Sequence, residues 1–419
     1  MIHFGIICPP IFSHLNGLFS IGRELQRRGH RVTLLGTLDT QPMAVSAGLE
    51  FKALAESKRF SEVMMQSNVQ SAELNRIAAL QSTIRMLQEL TTLFLQNAPT
   101  AISEAGIDAL IINQVIFGGG TVAEYLGIPF VTACCALILN PDDSVPPCFT
   151  AWNYNPAWWA RLRNRAFYYL IEQINQPIRR VISEYRKQWK LTPLSSINEL
   201  DSKLAIIYQL PMELEFPRQN LPPWFHFTGS FRDLTTEPAV DFPFEKLTEK
   251  PLIYASMGTL VNQVEKIFRC IAQACESLDA QLVISLGGNL EPEVLPKLPG
   301  EPLIVKYAPQ LELLKKARLT ITHAGANTVI ESLSNGVPMV GIPLGKDQPG
   351  IAARIAWTGS GEFLLPSGLN VSRLRSTIQR VLTQNSYKQN AVRLQAAICR
   401  AGGVRRAADI IEQAIANCG

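Results

Sequence analysis

Short aliphatic runs alternate with amphipathic stretches along most of the chain. "IHFGIIC" (2–8) reads as a strand, and a helix follows from about Leu15 to Arg28, stopped by Gly29. "RVTLLG" (31–36), "ALIIN" (109–113), a helix through "GGGTVAEYL" and the strand "IPFVTA" (128–133) continue the pattern. Strand–helix–strand order of this kind predicts a parallel sheet with helices on both faces. The aromatic and basic middle of the chain breaks the alternation and predicts long inserted helices. "LPPWFHFTGSFRD" returns to the domain edge, and 233–250, polar with two prolines, reads as a linker. A second alternating region begins at "PLIYASMG" (251–258), with strands at 280–287, 302–306, 318–322 and 337–343. The tail from Val371 to Cys418 reads as helical.

This order predicts an α/β protein of two doubly wound, Rossmann-like parallel-sheet domains facing across a cleft. Ligands in such sheets lie beyond the carboxyl ends of the strands. The expected division is 1–232, a linker over 233–250, 251–402, and a C-terminal helix over 403–419 packing back toward the first domain.

The 419 residues are too many for one ordinary domain, and the net charge of +4 suits an anionic ligand without calling for nucleic acid. "MIHFGIICPP" lacks the charged start and cleavage site of a signal peptide. The longest apolar run, 127–139, is too short to span a bilayer. Eight cysteines occur without a CxxC pair, and adjacent Cys134 and Cys135 read as buried. The expectation is a reduced cytoplasmic protein with no disulfide framework and no metal site.

The densest chemistry lies in "THAGANTVIESL" (322–333). A strand runs into His323, small residues including Gly325 allow a tight turn, and a helix begins near Asn327. Its opening N–H groups lack intrahelical partners and its dipole is positive at that end, so an anion, usually phosphate, fits there. His323, Asn327 and Thr328 add donors. Glu331, one turn along, can accept both hydroxyls of a ribose. The plainer alternative is a helix cap with an incidental histidine. Three further strand ends argue against it. "YAPQLELL" offers Tyr307, a ring able to stack on a base, and Gln310. "PLGKDQPG" places Asp347 and Gln348 within reach of sugar hydroxyls. "SMGT" brings Ser256, Gly258 and Thr259 to a phosphate-sized turn.

Read together, Y-A-P-Q…T-H-A-G-A-N-T…E-S-L…G-V-P…D-Q over residues 307–348 resembles the nucleotide-sugar-binding motif of the UDP-glycosyltransferases with the two-domain GT-B fold. The resemblance implies that Tyr307 stacks on uracil with Gln310 near the nucleoside. It further implies that His323, Asn327 and Thr328 hold the diphosphate, Glu331 the ribose diol, and Asp347 with Gln348 the transferred sugar. The segments "DALIINQVIFGGGTVAEYLGIPFVTACCALILN" and "KDQPGIAARIAWTGSGE" are similar to those of zeaxanthin glucosyltransferases and related bacterial enzymes acting on apolar acceptors.

His14, in "PPIFSHLNG" just after the first strand, reads as a capping or surface histidine on its own. By the resemblance it is the base that takes the acceptor's proton, a task suited to a neutral imidazole. Gly17 replaces a proline common in relatives, which predicts a looser loop. The family's orienting aspartate corresponds to Asn113. Asparagine can fix the imidazole but cannot offset its growing charge; in a serine-protease triad that replacement costs about 10⁴ in turnover. The implied reaction is inverting transfer of a hexosyl group, glucose by expectation, from a UDP-sugar to a hydroxyl of a lipophilic acceptor. No DxD triplet occurs, so the helix start is expected to replace a metal ion. No cofactor is expected. Phe149, Trp152, Trp158, Trp159, Phe167, Tyr168 and Tyr169, interspersed with arginines, read either as helical core or as an apolar acceptor channel with a basic rim touching a membrane. The rival reading is a nucleotide-sugar-binding auxiliary protein, inactive alone because of Asn113.

Overall fold

The structure is a computed structural model and describes residues 1–54, 76–232, 240–258, 264–288, 291–294 and 296–418. The first domain runs β1 (His3–Ile7), α1 (Phe12–Arg27), β2 (Arg31–Gly36), α2 (Gln41–Ser46), β3 (Glu50–Ala53), α3 (Arg76–Ala105), β4 (Ala109–Asn113), α4 (Gly119–Leu126) and β5 (Phe130–Cys134). Then come α5 (Trp158–Ile174), α6 (Gln176–Gln188), β6 (Ile206–Tyr208) and β7 (Phe225–Phe227). The strands form one sheet in the order β3-β2-β1-β4-β5-β6-β7, every neighbouring pair parallel. Side-chain alternation assigns the two faces. Val32 and Leu34 enter a cluster with α1, whereas Ile7, Leu35, Leu110 and Ile112 pack on α3 and α6.

The second domain comprises β8 (Leu252–Ser256), α7 (Val264–Cys275), β9 (Gln281–Ser285), β10 (Leu303–Val305), α8 (Gln310–Lys316), β11 (Ala317–Thr322) and α9 (Ala326–Ser334). It continues with β12 (Met339–Gly341), α10 (Gln348–Trp357), β13 (Gly361–Phe363), α11 (Val371–Thr383), α12 (Asn385–Ala401) and α13 (Gly403–Ala416). Its sheet is also parallel, in the order β10-β9-β8-β11-β12-β13. In both sheets the strand order reverses beside a central pair, β1 with β4 and β8 with β11. The carboxyl ends of such a pair open a crevice.

The chain divides less cleanly than its sequence reads. Of the expected linker, 233–239 lie outside the described residues. Phe242 is already buried against Leu252 and Tyr254 of the second sheet. Gly402 and Gly403, with φ of 89° and 59°, turn the chain into α13. That helix lies against α1, where Arg28 pairs with Asp409 at 2.7 Å and with Glu412 at 2.6 Å. The domains also share a core. Cys134, Leu137, Tyr208 and Leu214 of the first pack with Ile330, Ile351, Ile355 and Leu394 of the second. Arg354 of α10 is fully buried there with its partner Glu215. An ion pair this dry needs close packing around it, and Gly350 supplies it, since a side chain there would strike the Cys148 carbonyl. All eight cysteines are free, Cys134 and Cys135 buried. No helix among the described residues is long and apolar enough to cross a membrane.

Candidate active site

The loops after β8 and β11 form one half of the cleft. His323 follows β11, and its ring lies between two glycines. A Cβ on Gly258 would sit 2.8 Å from the ring's Cε1 and Nε2, and one on Gly325 would collide with Nε2. The turn is made by Ala324 and not by the glycine beside it. Ala324 has φ of 63°, while Gly325 caps α9 in extended conformation at φ −69°. Gly325 is thus needed for room, and the left-handed backbone is carried by a buried alanine at a local cost. Nδ1 of His323 is buried and meets no partner at hydrogen-bond geometry. Burial pushes this imidazole down to about 4, Lys346 adding to the effect against the nearby Ser256 carbonyl. It stays neutral at pH 7 and offers a donor beside the open end of α9.

The other expected donor-side residues gather around this point. Ser256 Oγ lies 3.5 Å from the Gly258 N–H. Thr259 lies outside the described residues. Tyr307 is 40% exposed, with its ring Cδ2 beside Gly288. Thr328 is buried on the first turn of α9. Glu331 is buried, and both its oxygens are engaged, by Arg232 and by Gln310 Nε2. Gln310 Oε1 in turn accepts from the Tyr254 hydroxyl at 2.9 Å. Asp347 and Gln348 are less free than their sequence suggests. Asp347 Oδ2 accepts from the Leu137 N–H at 3.1 Å, across the cleft. Gln348 Oε1 holds its own loop through the Leu344 and Gly345 N–H groups, at 2.7 and 3.1 Å. Its amide nitrogen takes no part in those bonds.

The opposite half begins at α1. The helix starts at Phe12, so His14 stands within its first turn. Its Nδ1 is 3.4 Å from Asn113 Oδ1, at the end of β4. The Val115 N–H also donates to that oxygen, at 3.2 Å, which fixes the amide's orientation. Asn113 Nδ2 is then left buried without a partner. Burial lowers the His14 pKa below its ordinary value; Asn113 and the Asp347 charge oppose this, and Lys346 adds to it. Gly17 does not loosen the region. It is buried in α1, and a Cβ there would lie 3.2 Å from that of Phe231, so the glycine admits close packing. Asn327 Nδ2 donates to the Ser13 carbonyl at 3.1 Å, bringing the start of α9 within one residue of His14.

Three groups had no signal in the sequence. Lys346 acts on both histidines from a residue with φ of 56°. Asp201 shares a cavity of about 50 Å³ with Asn113, Gln114, Thr132 and Asn140. Burial pushes its carboxyl up to about 7, despite the Thr132 hydroxyl. Arg232 reaches Glu331 from a chain separation of 99 residues. The arginines of the aromatic segment are partly paired. Arg161 and Arg165 pair with Asp143, Arg179 with Glu172, and Arg163 stacks 4.1 Å over Trp152, which meets Phe167 edge-on. Tyr168 is half-buried, its hydroxyl pushed up to about 12 by burial. Trp158, Trp159, Leu162, Tyr169 and Leu170 of α5 are exposed, as is Phe149.

The family model described as UDP-glucoronosyl and UDP-glucosyl transferase matches residues 6–399. A zeaxanthin glucosyltransferase of Pantoea ananas is 33% identical over 425 residues, covering 99% of this chain and 96% of the relative. Another, of Pseudescherichia vulneris, is 31% identical over 420 residues, covering 100% and 99%. Among solved structures, the calicheamicin glycosyltransferase CalG4 superposes with a TM-score of 0.77 at 22% identity, covering 99% of this chain and 98% of that one. The architecture is therefore GT-B.

Proposed function

The chain belongs to the UDP-glucoronosyl and UDP-glucosyl transferase family, and we propose that it moves a hexosyl group, glucose in the first instance, from a UDP-sugar to a hydroxyl of a lipophilic acceptor of the carotenoid class. It is a glycosyltransferase with a nucleotide-sugar donor. Uridine, glucose and the acceptor class rest on the family description and on the names of the relatives. The observation that carries the chemistry is the bond from Asn327 to the Ser13 carbonyl, which joins the diphosphate end of the cleft to the residue before His14.

Neutral His14 takes the acceptor's hydroxyl proton. The oxygen attacks the anomeric carbon on the face opposite the diphosphate, a new C–O bond forms, and the bond to the β-phosphate oxygen breaks. The configuration inverts and UDP leaves with the electron pair. Its growing charge meets the opening amides of α9 and the neutral ring of His323, preorganised donors where charge develops. Lys346 adds a cation on the same side. Tyr307 stacks on the base, Glu331 takes the ribose hydroxyls, and Asp347 with Gln348 takes the sugar. Charge stabilisation by amides and side chains makes transfer independent of a divalent ion. The exposed apolar face of α5 suits contact with the membrane where such acceptors dissolve.

The test is UDP release from UDP-glucose with a panel of carotenoids, phenols and hydrophobic alcohols, run with and without chelator. Products are identified by mass spectrometry and their anomeric configuration by NMR. Acceptor-dependent release, unchanged by chelator and giving the inverted glucoside, is expected. UDP binding without release under any acceptor would overturn the reading, and loss of activity in chelator would remove its metal-free step. Vesicles of anionic lipid are expected to bind the chain at low salt, since Asp143 and Glu172 offset only part of the charge of the segment's arginines, and undetectable binding would overturn the membrane contact.

A further inference from the structure

The segment 228–232 leaves the edge strand β7 under close control. The Gly403 N–H donates to the Thr228 carbonyl at 2.6 Å. Gly229, at φ 73°, passes so near α12 that a Cβ would lie 3.0 Å from that of Ala401. Ser230 Oγ accepts from the Arg232 N–H and donates to its carbonyl, both at 3.1 Å. Phe231 is fully buried against Gly17 of α1. The first domain thus aims Arg232, and its guanidinium crosses to Glu331 in the second. Glu331 is 1% exposed, and a lone carboxylate that dry would shed its charge.

We infer that Arg232 is a positioning residue for the donor: it keeps Glu331 charged and aimed as the acceptor for the ribose hydroxyls, so the nucleotide site of the second domain is complete only with the first domain docked on it. The inference rests on the reading of Glu331 as the ribose-binding group. Gln310 holds the other oxygen and is itself held by Tyr254, so two of the carboxylate's lone-pair directions are fixed and two remain for a diol. The titratable groups beside Glu331 are Arg232 from the first domain and Tyr254 on β8, which in turn neighbours Tyr307. Lys388 of α12 meets the Gly336 carbonyl at the far end of α9. Burial raises the Glu331 pKa, Arg232 and Gln310 opposing it. Arg232 is therefore the one full positive charge among these near neighbours that acts against protonation.

The experiment compares UDP with 2′,3′-dideoxy-UDP by calorimetry on the full chain, from pH 6.5 to 9. Taking the ratio of the two affinities cancels titration of the phosphates. The unaltered protein is expected to prefer UDP by about tenfold or more with little change above neutral pH. Arg232→Leu is expected to lose most of that preference at pH 7, to regain it as rising pH ionises Glu331, and to leave dideoxy-UDP affinity within about twofold. Arg232→Lys is expected to keep most of the preference. Equal loss for both nucleotides at every pH would mark Arg232 as merely structural. Tighter UDP binding in Arg232→Leu would mark it as a competitor for Glu331. Either result overturns the inference. If the unaltered protein shows no preference, or Glu331→Gln keeps it, the ribose reading fails instead.

Discussion

Each domain opens its site at the carboxyl ends of the two strands beside its crossover, yet the two are finished very differently. In the second domain His323 is clamped between Gly258 and Gly325, and Glu331 has both oxygens engaged. In the first, His14 and Asn113 meet at 3.4 Å, a long hydrogen bond. There Asn113 Nδ2 and Asn140 Oδ1 are buried without partners, as His323 Nδ1 is in the second domain, and Asp201 sits beside them in a polar cavity. The nucleotide is a constant ligand, so its half can be built in advance. A buried polar group without a partner is a cost that a ligand bound beside it can offset, and the first half carries more of them. On the proposed function, the donor half is the more preformed and the acceptor half the less finished.

The largest effect should separate the halves outright. His14→Ala is expected to cut turnover by about 10²- to 10⁴-fold, the usual contribution of a general base, with UDP affinity within about twofold. Steady-state rates beside UDP calorimetry check both. A fall of less than about tenfold would mean the first half does its chemistry without His14. The mirror-image test is Gly325→Ala. Its Cβ must displace the His323 ring or shift the start of α9, and such overpacking costs ~1–3 kcal/mol. Donor KM is expected to rise about tenfold while acceptor KM stays put. A matching rise in acceptor KM would show that the halves are not separable.

How much of this was readable beforehand also differs between regions. Strands of five residues or more, such as β1, β4, β8 and β11, stand out as apolar runs. β6, β7 and β13, three residues each, were missed with β3, whereas β10 and β12, equally short, were read because they lie within the longer apolar runs "PLIVK" and "VPMVGIP". On the donor side one continuous stretch, 307–348, carries most of the proposed site residues, so their grouping was visible as a local pattern. On the acceptor side the relevant contacts join distant segments: His14 to Asn113, Asn113 to the cavity holding Asp201, Phe231 to Gly17. Nothing local in "INELDSK" or "GSFRD" marks Asp201 or Arg232, because burial and a distant partner give them their character. Gly17 misled for the same reason. In sequence it stood for slack, and in the fold it is a contact surface.

The smaller effects sharpen what unfinished means at residue 113. Asn113→Asp is expected to raise turnover several-fold with an alcohol acceptor, because a carboxylate stabilises the imidazolium that forms as His14 takes the proton. The pH profile tests this more closely than the rate does. Burial holds the His14 pKa below its ordinary 6.5. The base works only when neutral, so the rate should rise with pH through an inflection below that value and be flat at neutrality. A carboxylate at 113 favours the protonated ring, so in Asn113→Asp the limb should move upward, toward neutral pH. A faster variant whose limb stays in place would gain from something other than a charge facing His14. If rate and limb both stay unchanged, the pair at 3.4 Å is not coupled, and a carboxylate elsewhere, with Asp201 and Asp347 the nearest candidates, becomes the group to test.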